Sequence, residues 1–214
     1  MKPFTNKIVI FAFLCCALVA GAEDKISVSK TPVKDYPACF AAWDKNMDTL
    51  QTRFTQTTEY DGMQISQSQG RITYTKTGPK LRLDNLEEDA ISQTALTDKK
   101  QIYILDDKGK EISKILWADW LTGQPNQALF DFGNYTQLLA KHTVNVKETN
   151  DKQAVLQLIP KISSENYVLY VTIDTHNCFP GKITIESDLM QTSAVLSDVR
   201  LNTELPKDLF KGLK

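Results

Sequence analysis

Residues 53–75 read RFTQTTEYDGMQISQSQGRITYT, two extended segments around one Asp61-Gly62 pair, and this stretch decides the fold. Thr, Ile and Tyr recur on either side of the pair, a composition that suits a pleated, half-buried surface. Asp-Gly readily adopts the positive-φ conformations that a two-residue hairpin turn demands. The expectation is an antiparallel pair, Arg53–Tyr60 with Gln64–Thr75.

The same texture continues outward. Lys80–Asn85, Ala90–Thr97, Gln101–Asp106 and Glu111–Ile115 follow, with Gly78-Pro79 and Asp107-Lys108-Gly109 at the turns. It returns in His142–Glu148, Gln153–Pro160, Tyr167–Asp174, Gly181–Glu186 and Thr192–Asn202, giving about eleven strands joined mostly by connections too short for anything but antiparallel neighbours. Leu169, Val171 and Ile173 alternate with Val168, Tyr170 and Thr172, so even the second face is only partly polar and the sheet is expected to be covered on both sides. Between the two blocks, Leu116–Ala140 mixes aromatic and aliphatic residues with Gly123, Pro125 and Gly133, and reads as two or three short helical pieces. Such an insert closes an apolar concave face either over a cavity or as the plug of a filled core. Upstream, Phe40, Ala41, Trp43, Met47 and Leu50 fit one face of a helix starting after Pro37.

The chain begins with a basic start (Lys2, Lys7), an apolar run from Ile8 to Ala20, and Ala20-Gly21-Ala22 before Glu23, the three parts of a cleaved export signal. The run of about 13 residues is short of the roughly 20 that span a bilayer. Residues 1–22 are therefore expected to be a signal peptide, 23–36 a flexible leader and 37–214 a single domain. Cys15 and Cys16 lack the preceding small residue that lipidation signals favour. With a net charge of −1 over 214 residues and no basic run, the chain carries no footprint for nucleic acid.

Cys39 and Cys178 survive cleavage, and an oxidising compartment can join them. Two buried free thiols or a nucleophilic cysteine are the alternatives, the latter unsupported because His142 and His176 sit in no recognisable catalytic context. Both histidines, one opening a strand and one in the turn Asp174-Thr175-His176-Asn177, are expected at the surface. There is no G-x-S-x-G, G-x-G-x-x-G, phosphate loop or H-E-x-x-H, and Glu87-Glu88-Asp89, beside Asp84 and Asn85, lacks the spacing of a calcium loop. No enzyme, metal or cofactor is expected, and binding is the better class.

Five stretches together resemble the outer-membrane lipoprotein carrier (LolA) family: Leu50–Gln56, Gln69–Tyr74 with Lys76–Leu83, Thr97–Tyr103, Leu158–Lys161, and Asn202 with Leu205-Pro206 and Phe210. In the third, the family usually has Asp-Gly-Lys where this chain has Asp98-Lys99-Lys100. In the second, the family's basic residue falls at Thr77, so the polar latch that this residue provides in the family is in question. The resemblance implies a mainly β protein with helices, an incomplete antiparallel β-barrel with an N-terminal helix and a short helical lid. It implies a monomeric periplasmic carrier that binds acyl chains of lipidated proteins or lipids and moves them from an inner-membrane release complex toward an outer-membrane acceptor. Trp117, Trp120, Leu121, Leu129, Phe130 and Phe132 are then expected in the lid, and Ile72, Tyr74, Leu81, Leu83, Ile102 and Ile104 in the lining. The alternative is an interaction or sensor module that uses the same half-barrel to bind a protein partner.

Overall fold

A computed structural model describes residues 35–123, 131–162 and 166–213. The expected signal peptide, most of the leader, and Leu129 and Phe130 lie outside the described residues.

Eleven strands form one sheet: β1 (Thr49–Tyr60), β2 (Met63–Thr75), β3 (Lys80–Glu87), β4 (Ala90–Thr97), β5 (Gln101–Leu105), β6 (Glu111–Leu116), β7 (His142–Thr149), β8 (Gln153–Pro160), β9 (Val168–Asp174), β10 (Pro180–Ser187) and β11 (Met190–Leu201). Among the described residues three helices accompany them, α1 (Tyr36–Asn46), α2 (Trp117–Gly123) and α3 (Tyr135–Lys141). The strand order is β6-β5-β4-β3-β2-β1-β11-β10-β9-β8-β7. Two meanders are thus joined where the first strand pairs antiparallel with the last, from Leu50 opposite Leu201 to Tyr60 opposite Met190. β6 and β7 are the two free edges, so the barrel is incomplete.

Local chemistry sets the elements. Asp61 (φ +48) and Gly62 (φ +75) both take the left-handed conformation that turns β1 into β2. The Asp35 carboxylate accepts the Ala38 N–H at 3.0 Å and caps α1, whose start carries Pro37. The helix therefore begins at Tyr36, inside the span expected as leader. It ends at Asn46, and Leu50, expected on its face, belongs to β1 instead. Asn202 makes that switch possible: its side-chain oxygen accepts the N–H groups of Asp48 (2.7 Å) and Thr49 (3.3 Å), pinning the start of β1 to the end of β11.

The concave face holds the main core. Leu50, Ile72, Tyr74, Leu81, Leu156 and Leu158 meet Phe40 of α1 and Phe132 and Tyr135 of the insert, all essentially inaccessible to water. The expected alternation in β9 is present, with Leu169, Val171 and Ile173 buried and the intervening residues half-buried. Over the opposite face, the C-terminal segment reaches back to β3. The Arg82 guanidinium donates to the Leu209 carbonyl (3.0 Å) and to the buried Asp84 carboxylate (2.9 Å), and the Lys80 ammonium sits 6.0 Å from the Phe210 ring.

Cys39 and Cys178 are disulfide-bonded, with Cα atoms 5.8 Å apart and a sequence separation of 139. The bond staples α1 to the β9–β10 turn. In that turn Asp174 accepts the N–H groups of His176 (2.8 Å) and Asn177 (3.0 Å), which is turn chemistry. His176 is exposed. His142 is not at the surface as expected: it is buried at 4 % exposure, its Nδ1–H donating to the Leu138 carbonyl (2.7 Å) and its Nε2 3.1 Å from the Tyr167 hydroxyl. Packing explains the difference, because α3 runs straight into β7 and draws its junction inward. Among the described residues no helix is long and apolar enough to cross a membrane, and no three of His, Cys, Asp and Glu gather to hold a metal.

Candidate lipid-binding site

An aromatic chain spans the concave face. Phe179 meets Trp43 edge-on at 5.6 Å, Trp43 stacks on Tyr135 at 6.3 Å, Tyr135 contacts Phe132 at 5.8 Å, and Phe132 reaches Tyr74 of β2 at 5.7 Å. Phe40 stacks on Tyr135 at 4.8 Å. Offset aromatic pairs of this kind add roughly 0.5–1.5 kcal/mol each beyond their buried area. Three strand-borne candidates, Ile72, Leu81 and Ile102, are buried in the same core, with Leu83 and Ile104 packed at its margin. Trp117 is buried and stacks on the half-buried Trp120 at 5.0 Å. Leu121 lies in α2.

The sequence reading placed the lining on β2, β3 and β5, whereas the concave core also takes in β8 and β9 through Leu156, Leu158, Leu169, Val171 and Ile173. It missed Tyr135, on which Phe40, Trp43 and Phe132 converge. The Trp43 indole N–H is buried without a hydrogen-bond partner among the described residues.

Two charged side chains grip the insert. Asp44, on the inner face of α1 at 2 % exposure, accepts the Gly133 N–H at 2.6 Å and the Tyr135 N–H at 3.0 Å, so it caps the turn entering α3. Burial pushes its carboxyl above the usual range, against the pull of those two N–H groups and of the Lys99 and Lys76 ammonium groups. Lys99 pairs with Asp131 at 2.7 Å and donates to the Phe132 carbonyl, while lying 5.4 Å from the Tyr74 ring. Burial first, then the nearby Asp44 and Asp131 charges, push the Tyr74 hydroxyl up to about 12 and the Tyr135 hydroxyl well above its ordinary value. Both phenols therefore stay neutral.

Lys99 sits at φ +63, a conformation glycine takes without cost and lysine does not. The turn holds it there, the Thr97 hydroxyl accepting its N–H at 2.8 Å and the Asp98 carboxylate accepting those of Lys100 (2.9 Å) and Gln101 (3.2 Å). Thr77, by contrast, is exposed in the β2–β3 turn. The grip on the insert comes from Asp44 and Lys99 instead. A signal for Asp44 was available: with Phe40 four residues before and Met47 three after, it falls on the apolar side of α1.

No curated protein matches the chain in sequence. Among solved structures it is similar to a DUF1329 family protein of Desulfovibrio piger, with 9 % identity, 85 % of this chain and 98 % of that one covered, and a TM-score of 0.49. It is also similar to a LolA superfamily protein of Nitrosomonas europaea (13 % identity, 84 % and 97 % covered, TM-score 0.46) and to the lipoprotein LppX of Mycobacterium tuberculosis (12 %, 79 % and 98 %, 0.47). Residues 45–212 match the family described as outer membrane lipoprotein carrier protein LolA. With its whole sheet and insert inside that match, the chain belongs to the LolA family.

Proposed function

We propose that this protein is a periplasmic carrier that takes acyl chains of lipoproteins or other lipids into its concave face and moves them from an inner-membrane release complex toward an outer-membrane acceptor. In this reading residues 1–22 are its cleaved signal, 23–36 a leader and 37–214 one binding domain acting as a monomer without catalysis. Ile72, Tyr74, Leu81, Leu83, Ile102 and Ile104 line the space, and Trp117, Trp120, Leu121, Leu129, Phe130 and Phe132 form the lid. The observation that carries it is how the insert is fastened over the apolar core: Asp44 and Lys99 hold Asp131–Tyr135, with no strand pairing there. Breaking such contacts costs a few kcal/mol, whereas burying about twelve methylenes returns roughly 10 kcal/mol. Re-exposing Phe132 and Tyr135 costs about 1.5–3 kcal/mol each, so cargo can displace the insert where its chains take their place in the core.

The test is extraction of the purified protein followed by mass spectrometry, and exchange against acylated lipoprotein and membrane lipids. Co-purifying or exchanging amphiphile supports the reading, and none under either condition refutes it. A second reading rests on β6, whose Ile112 and Leu116 are 57 % and 53 % exposed on a free sheet edge, as a partner's strand would need. A co-purifying protein, with Trp117 and Trp120 fluorescence indifferent to fatty acid, would favour it.

A further inference from the structure

Beyond the apolar core, the concave face changes character. Cross-strand partners share a face, so Phe54 opposite Leu196 marks the core side, and Gln56 opposite Ser68, Thr58 opposite Ser66, and Thr58 opposite Thr192 continue the same surface toward the hairpin tips. Phe54 and Leu196 are 6 % and 8 % exposed, while Tyr60, Met63 and Met190 at the tips are 45 %, 67 % and 44 % exposed. Between them lies a band of hydroxyls and one amide, half-buried at Gln56, Thr58 and Thr192 and open at Ser66 and Ser68. The Phe54 ring forms its inner wall, lying over Gly70 so closely that a Cβ there would come within 2.6 Å of it.

The five residues of the band carry no charge, and Glu87 at the end of β3 flanks them beside Ser68. Arg53 and Glu59 of β1, Arg71 of β2, and Lys182 and Glu186 of β10 all alternate onto the opposite face, and the bulge at Asp198 (φ +52) turns it to pair with Arg53 at 3.3 Å. We infer that Gln56, Thr58, Ser66, Ser68 and Thr192 seat the uncharged, polyhydroxylated head of the acyl cargo, a proposal resting on the carrier reading above. Hydroxyls both donate and accept, matching a head that does the same, and Thr58 and Thr192 already show the contact, 3.2 Å apart. β1 is paired along both sides, whereas β2 has no β3 partner before Gln69 among the described residues, so a peptide head is the competing occupant that the dipeptide probe separates. An anionic head would lose its hydration with no cation in the band to replace it, and would meet Glu87 beside Ser68.

The experiment uses four probes with one chain length, dodecyl maltoside, dodecyl sulfate, dodecyltrimethylammonium and a dodecanoyl dipeptide amide, each titrated below its micelle concentration. The expected result is dodecyl maltoside bound at least about tenfold more tightly than the other three. Thr58→Val with Thr192→Val, near-isosteric and suited to strands, should lose that preference while dodecyl sulfate binding is unchanged, and Ser66→Ala with Ser68→Ala, at exposed positions, should weaken it likewise. Equal binding of all four probes, or variants that discriminate as the parent does, would overturn the inference while leaving the carrier reading intact. Peptide amide matching maltoside would overturn the choice of head. If no probe binds, the carrier reading itself falls, and the inference with it.

Discussion

Replacing Asp44 by Asn tests the grip on the insert directly. The shorter bond, from Gly133 at 2.6 Å, orients the new amide oxygen, so its NH₂ faces the Tyr135 N–H, donor against donor. One buried N–H loses its acceptor, at about 1–3 kcal/mol, offset in part because a carboxylate with a raised pKa is itself costly to keep ionised at neutral pH. The expected net effect is on the order of 1.5 kcal/mol, concentrated at the insert. Hydrogen exchange should show the Gly133 and Tyr135 amides about tenfold less protected, with β1 and β11 amides unchanged. The pH dependence gives an independent check. Because the folded-state pKa is raised above 3.8, the native chain binds more protons than the unfolded one in the interval between the two values. Stability associated with Asp44 is complete below about 3.8 and is lost as pH rises through the folded value, so the parent should weaken across that interval and Asp44→Asn should flatten the slope. Unchanged protection at Gly133 and Tyr135, or an equal loss across the whole sheet, would refute the reasoning.

Three further outcomes are expected. Lys99→Gly removes the ties to Asp131 and Phe132 but also a side chain at φ +63, so urea unfolding should shift by less than about 1 kcal/mol while insert amides exchange faster. Cys39→Ser with Cys178→Ser should lower stability by up to about 5 kcal/mol, the loop-closure figure for a 139-residue separation, read from urea midpoints with and without reductant. Gly70→Ala should cost about 3 kcal/mol or more, because its Cβ would fall 2.1 Å from the Asp84 carbonyl oxygen, and circular dichroism melts would record it.

The strands were legible because their signals are local. Ala90–Thr97 and Gln153–Pro160 have the bounds expected from their composition and flanking turn residues, and Asp61-Gly62 turns where Asp-Gly should. Pairing of β1 with β11 was not legible, since nothing in either strand names a partner about 140 residues away. Leu50 was drawn into the helix because its spacing from Met47 suits a helical face, and only the distant Asn202 side chain reveals that the chain has already turned extended. The aromatic residues of the site were expected from the resemblance to the family, and the structure places Trp117 and Phe132 buried among the core. Its charged half was missed because an isolated Asp in a short helix, and a Lys in a turn, look solvated until the insert folds over them.

The seam between β1 and β11 also orders events in time. As the chain emerges from its N-terminus, β1 to β6 can assemble from neighbouring contacts, yet the twelve residues of β1 keep one edge unpaired until the last strand arrives. The partner of Cys39 appears almost as late. A nascent chain is therefore held short of its native sheet, presenting a long sticky edge that a holding chaperone would need to cover. Completion becomes a single late step, taken once the whole polypeptide is available.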